Sequence, residues 1–370
     1  MRSRVVQTIV AAVFTGIAGC SVGPDYQRPG ISLPDAFVED GLREDALPLE
    51  SMWAAFDDDT LTRLIERART HNADVAIATA SLNEARAVAG LQVFSLFPTV
   101  TLTAGSERTQ QSTLDPFAFP GAGVAQRERA GFDASWEIDL FGTLRRASES
   151  IQRRVQARTY SVYATQLRVV AETAQAWFEL LGNRNRLAVL QDSLAVQVEN
   201  LTVLERAYEA GRGTPLDLAR ARAEERRIAA SVPGAAAAVT RSEQRLAVLT
   251  GLGVAELRDW VADDQRLPEM PIMQPVGNPA AWLARRPDVA AAEWQLAELT
   301  SVIGVRVADL YPRITLLGSL GWTARARADL GSSAAQRWQA VPTLDWRFLD
   351  FGRVRQDIRE AEAQADGALA

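Results

Sequence analysis

The chain has 370 residues, 47% of them hydrophobic, and a formal net charge of −6. That mild acidity argues against a nucleic-acid partner, which needs a basic face. One histidine, His71, and one cysteine, Cys20, nearly empty the catalogue of metal sites and nucleophile–base pairs, and every basic side chain is an arginine.

Arg2 and Arg4 open a short basic segment. VVQTIVAAVFTGIAG follows as an apolar run too short to span a bilayer as a mature helix. It ends in IAGC, and small residues before the single cysteine predict a lipoprotein signal peptide over 1–19 with lipidation at Cys20. An ordinary signal peptide with an incidental cysteine is the alternative; lipidation accounts for a thiol that would otherwise be unpaired in an exported protein. Residues 20–50 have scattered prolines and no clear period, and predict a lipidated, extended tether.

A helix is predicted over 58–96, with Leu61, Leu64, Ile65 and Ala68 on one face. Pro98 stops it. TVTLTAG then alternates, Thr99, Thr101 and Thr103 against Val100, Leu102 and Ala104, as a strand does. Residues 106–130 read as a polar loop. GFDASWEIDLFG, 131–142, reads as the return strand. Phe132, Ala134, Trp136, Ile138 and Leu140 share one face, while Asp133, Ser135, Glu137 and Asp139 share the other. Residues 143–210 contain no proline and one glycine, Gly182, and predict a helix roughly 100 Å long. Such a helix needs partner helices along its length, as in a coiled coil. Gly211 suits its stop, and Thr214-Pro215 the cap and first position of a returning helix, kinked at Pro233-Gly234 and ending near Leu249. THNAD around His71 reads as a solvated helix segment.

The pattern then recurs. DVAIATASLNEARAVAGLQVFSLFPTVTL from Asp74 lies over DVAAAEWQLAELTSVIGVRVADLYPRITL from Asp288 without a gap. Gly90 meets Gly304 and Pro98 meets Pro312, while Trp136 meets Trp346 and Gly142 meets Gly352. Each unit reads helix, strand, loop, strand, helix. The first repeat is placed at 51–274 and the second at 275–370. The second stops in mid-helix at Ala370, so the chain reads as lacking roughly a hundred residues of its second repeat.

Four strands of period two have two readings. In a soluble sandwich the apolar faces pack on a second sheet. In an outer-membrane barrel they face lipid, with the polar faces on a water-filled lumen. Four strands cannot close around a lumen, so the barrel needs several chains. The long helices favour the barrel, where they extend as a coiled-coil tube; a sandwich has no use for them.

CSVGPDYQRP, LIERARTHNADVAIA, SWEIDLFGTLRRA, RRPDVAAAEWQLA and IGVRVADLYPRITLLGSLG carry a resemblance. The chain resembles the TolC-like outer-membrane factors of tripartite efflux pumps, in their NodT-type lipoprotein branch. That resemblance implies a mainly α fold with transmembrane β: a helical α-barrel and a homotrimer whose protomers each give four strands to one twelve-stranded β-barrel. It implies an outer-membrane location through lipid, and a passive conduit for small molecules, with no enzyme activity, cofactor or metal. It also implies docking to a periplasmic adaptor (membrane fusion) protein and coupling to an inner-membrane transporter, expected to be of the RND type. Gly211, Arg212, Gly213 and Thr214 correspond to the adaptor-docking tip. Asp217 corresponds to an aspartate of the gating network, though it also fits a plain helix N-terminus. Asp133, Glu137 and Asp139 are expected to line the lumen as an acidic, cation-tolerant wall; pairing of these acids with arginines such as Arg347 is the alternative. Trp322 and Trp338 are candidate interfacial anchors. A duct for type I protein secretion, an inactive fragment and a lipid-anchored coiled-coil scaffold are the competing readings.

Overall fold

A computed structural model describes residues 21–30, 34, 53–110, 112, 124–262, 267–269 and 279–370. Cys20 lies outside them. In chain order the elements are α1 (Asp59–His71), α2 (Ala73–Phe94), β1 (Thr99–Gln110), β2 (Val124–Ile138), α3 (Thr143–Glu209), α4 (Pro215–Thr250), α5 (Val254–Trp260), α6 (Pro279–Arg285), α7 (Pro287–Ala308), β3 (Arg313–Ala324), β4 (Gln336–Asp345) and α8 (Arg353–Leu369). No described helix is long and apolar enough to cross a membrane. The chain divides into two compact units, one of residues 1–30, 83–157 and 291–370, the other of 31–82 and 158–290. These units cut across the sequence repeats rather than following them.

The first unit holds the sheet. Its order is β1-β2-β3-β4, all antiparallel, so the two repeat hairpins lie side by side and β2 pairs with β3. The strands are longer than the alternation alone suggested: β1 reaches Gln110 and β2 begins at Val124, inside the stretch expected to be loop. Ladder hydrogen bonds continue past the point where the residues cease to alternate cleanly. At the other end β2 stops at Ile138, short of the expected 142.

Helix α7 packs against α8 through Ile303, Ala361 and Ala365. It is tied to α3 by Arg153, which donates to the Ala297 carbonyl at 2.8 Å and to Ser301 Oγ at 2.9 Å, and by Arg154, which meets Glu298 at 2.7 Å.

The second unit is a helical bundle. Leu61, Leu64, Trp177, Leu180, Leu181, Leu246 and Leu257 are wholly buried in one cluster. Asp58 caps α1, accepting from Leu61 N at 2.8 Å, and its other oxygen takes the Trp177 indole proton at 2.7 Å. The first helix is not continuous as expected. It breaks at buried Asn72, whose Oδ1 accepts from the backbone of Asp74 and Val75 while Nδ2 donates to the Leu249 carbonyl at 2.9 Å. Asparagine is a strong N-cap, and here its side chain replaces the helical bonds it interrupts. Conversely, α4 runs unbroken through Pro233, and α5 is a short helix that the sequence pattern did not suggest.

Candidate functional site

The sheet presents two chemically distinct faces in register across all four strands. On one, Leu102, Phe132, Leu320 and Trp338 are successive cross-strand partners, and all four are exposed. On the other, Thr101, Asp133, Ser319 and Gln339 form the neighbouring row. On β2 the apolar face runs from Ala130 to Ile138, about 27 Å along the strand and about 20 Å in height at a tilt near 40° before the side chains at its ends are added. That matches the apolar band of about 25 Å on an outer-membrane barrel. β1 and β4 are edge strands, each with one open row of backbone donors and acceptors.

The expected lining residues fall out unequally. Asp133 stands on the polar face and accepts from Thr103 Oγ1 at 2.7 Å. Glu137 stands on the same face opposite Thr315. Asp139 lies just past the strand, and its carboxylate is engaged at the start of α3, accepting from Leu144 N at 3.1 Å and from Arg145 N at 3.0 Å and Nε at 3.1 Å. Within the polar face, Arg127, Arg129 and Arg337 accompany the acids. Trp338 is 77% exposed on the apolar face, whereas Trp322 is half-buried there.

The helical turn is built by local rules. Gly211 sits at φ 72, the left-handed cap for which glycine carries no Cβ penalty. Arg212 N donates to the Ala207 carbonyl and Gly211 N to the Tyr208 carbonyl, both at 2.9 Å, closing a Schellman motif. Thr214 then caps α4: its Oγ1 accepts from Asp217 N at 3.2 Å and donates to Asp217 Oδ2 at 2.5 Å. Gly211, Arg212, Gly213, Thr214 and Asp217 are all exposed. The arms behind the turn are joined by Arg222 and Glu205 at 2.9 Å. Among the described residues no cluster of His, Cys, Asp or Glu is arranged to hold a metal, and His71 ends α1 with Thr70 Oγ1 2.7 Å from its Nδ1.

One functional residue escaped the sequence reading. Residues 21–30 have no regular secondary structure and belong to the expected tether, yet buried Arg146 grips them. Its guanidinium donates to Asp25 at 2.7 Å, to the Val22 carbonyl at 3.2 Å and the Gly23 carbonyl at 3.4 Å, and meets Glu149 at 2.9 Å. Burial works against the charge, but Asp25 and Glu149 outweigh it and hold the Arg146 pKa above its ordinary value. Gly304 makes room: a Cβ there would lie 2.9 Å from the Arg146 side chain. Tyr26 completes the grip, its hydroxyl donating to Glu293 at 3.3 Å; burial and the Glu293 charge raise its pKa. RRASES gave no hint that its second arginine would be the buried one.

A family model described as outer membrane efflux protein matches residues 64–252 and 279–370. The chain belongs to the outer membrane efflux protein family. Among curated members it is 28% identical over 351 residues to nodulation protein T of Rhizobium leguminosarum bv. trifolii, covering 94% of this chain and 74% of that protein. To outer membrane protein OprJ of Pseudomonas aeruginosa it is 27% identical over 371 residues, covering 96% and 74%. The solved structure of the outer-membrane channel OprN is similar at 36% identity and a TM-score of 0.84, covering 95% of this chain and 78% of that one. This efflux protein is thus an outer-membrane channel protein.

Proposed function

We propose that three copies of this chain assemble into one passive efflux conduit. The single observation that carries the reading is the bare apolar row Leu102–Phe132–Leu320–Trp338 backed by the polar row Thr101–Asp133–Ser319–Gln339 on a sheet with both edges open. Pairing β4 of one copy with β1 of the next removes every edge and yields a twelve-stranded barrel, wide enough for water inside. A scaffold without a pore has no reason to pair such faces.

The repeat supports the same assembly. Gly304 and Ala308 on α7 are buried, while their counterparts Gly90 and Phe94 on α2 are exposed, Phe94 by 71%. In the assembly, α2 takes from a neighbouring copy the cover that α7 finds within its own chain. The exposed turn at Gly211, Arg212, Gly213 and Thr214 is the docking tip for a periplasmic adaptor, with Asp217 in the gating network and an inner-membrane transporter of the RND type supplying energy. Asp133 and Glu137 line the lumen, Cys20 carries the lipid, and residues 21–30 fix that anchor to the channel. The conduit performs no chemistry on what passes; small molecules are its cargo.

Purification from the outer membrane in mild detergent, with mass by light scattering and conductance in a planar bilayer, tests this reading. A trimer with discrete conductance steps is expected; a monodisperse, silent monomer would overturn it.

A further inference from the structure

The charges on the sheet's polar face are sorted along the strands. Toward the ends that carry the 110–124 and 324–336 connections stand Arg127, Arg129 and Arg337. The carboxylate among them is Glu107, 3.7 Å from both Arg127 and Arg129. Toward the helix-bearing ends stand Asp133, Glu137 and Asp345, where the guanidinium of Arg313 is engaged by Asp309 at 2.5 Å. Arg129 and Glu137 are eight residues apart, as are Arg337 and Asp345. That is about 27 Å along a strand and about 20 Å in height at a tilt near 40°. The Debye length at physiological salt is about 8 Å, so the outermost charges of the two groups act as separate fields, while Asp133, opposite Ser319 and one row from Arg337, stands at the border between them.

The basic end also has unspent hydrogen-bonding capacity. Arg337 lies in the row Thr103–Gly131–Gly321–Arg337, where the two glycine backbones pack directly on one another and put no side chain between Arg337 and the rest of the row. Arg337 Nε, Ser319 Oγ and Thr323 Oγ1 are buried atoms without hydrogen-bond partners, and Ser319 and Thr323 flank Gly321 on the same face. Polar atoms buried in this way normally find a partner, and a guanidinium beside two hydroxyls suits a carboxylate, sulfonate or phosphate oxygen.

We propose that the wall is bipolar: an anion-binding ring of Arg127, Arg129 and Arg337 with Ser319 and Thr323 near the loop end, and a carboxylate ring near the helix end. This rests on the polar face being the lumen. The ring gives organic anions a transient subsite as they leave, and an asymmetric charge profile makes the pore rectify.

The test is current–voltage recording on the reconstituted full chain in 0.05 M and 1 M KCl, with the trianion benzene-1,3,5-tricarboxylate added to either side. Rectification is expected at low salt and its loss at high salt, where the Debye length falls to about 3 Å. Block from the loop side is expected at roughly tenfold lower concentration than from the helix side. The triple variant Arg127→Gln, Arg129→Gln, Arg337→Gln should abolish that difference, whereas Asp133→Asn with Glu137→Gln should alter rectification and keep the block. A linear, side-independent response from a conducting pore would overturn the bipolar wall and leave the channel reading intact. A chain with no conductance would overturn both.

Discussion

The Trp136 indole donates to the Leu96 carbonyl at 3.1 Å, and its counterpart Trp346 donates to the Leu310 carbonyl at 3.0 Å. The same tryptophan in each repeat thus clamps the strand's exit to the end of the helix that leads into the sheet. Each bond satisfies a carbonyl left over where the helix ends. Trp136→Phe and Trp346→Phe should each cost about 1 kcal/mol, with similar losses in the two repeats. Urea unfolding, followed by electrophoretic mobility of the folded form, measures both.

A second repeat relationship predicts a pH dependence. Asp139 and Asp350 each accept from the backbone that opens the following long helix, at Leu144 and Val354 respectively, which are equivalent positions. The backbone N–H groups of Val354 and then Gly352 hold the Asp350 carboxyl below its ordinary pKa. A depressed carboxylate stabilises the fold above its unfolded pKa, about 3.9, and that stabilisation fades as pH falls through the folded value. Asp350→Asn should therefore weaken the protein near neutral pH, and the gap from wild type should close in strong acid. Unfolding midpoints measured from pH 7 down to pH 2 check the sign.

Asp58 serves two groups at once, the N-terminus of α1 and the wholly buried Trp177 indole. Asp58→Ala removes a cap worth about 1 kcal/mol and leaves a buried donor unpaired at about 1–3 kcal/mol. Asp58→Asn keeps one acceptor, the carbonyl oxygen that can cap Leu61 N, but sets an amide NH2 against the Trp177 indole, so it should recover only the cap, about 1 kcal/mol, relative to Asp58→Ala. Thermal unfolding of the two variants separates them.

At the helical turn, stability and docking can be told apart. A Cβ on Gly211 meets nothing within 4 Å, so Gly211→Ala carries only the left-handed backbone cost of about 1–2 kcal/mol. Thr214→Ala removes the α4 cap at about 1 kcal/mol and adds no bulk. If the tip docks an adaptor, a bulky Gly211→Trp should abolish co-purification with the cognate adaptor, while Arg222→Gln, which breaks the pair with Glu205 behind the turn, should retain it.

Arg146→Gln should release residues 21–30. It removes charged hydrogen bonds to Asp25 and to two backbone carbonyls, about 2 kcal/mol or more in all. Limited proteolysis of that segment should accelerate at least tenfold, with the mass of the purified assembly unchanged.

Much of this architecture was legible because it follows from local rules. The period-two alternation around Trp136 announced a two-faced strand, Gly211 and Thr214-Pro215 announced the hairpin of helices, and the proline-free run after Gly142 announced α3. What stayed hidden depends on contacts distant in sequence. Asn72 breaks a helix because Leu249, far along the chain, offers its carbonyl. Arg146 is buried because Gly304 leaves room for it. Asp139 kept the strand's alternation but belongs to the helix cap, since a side chain at a strand end is free to turn toward the next element's unpaired donors. The arginines of the polar face were overlooked because strand pairing, not spacing within one strand, sets them beside the acids.

The central claim is that one face of this sheet meets lipid and the other water. Spin labels placed singly along β3, from Ile314 to Thr323, in the reconstituted chain test it most directly. The account predicts that oxygen accessibility peaks at Ile314, Leu316, Leu320 and Trp322, while a water-soluble nickel chelate reaches Thr315, Ser319 and Thr323, alternating with period two. Chelate access that is uniform along the strand, or oxygen peaks on the threonine face, would contradict it.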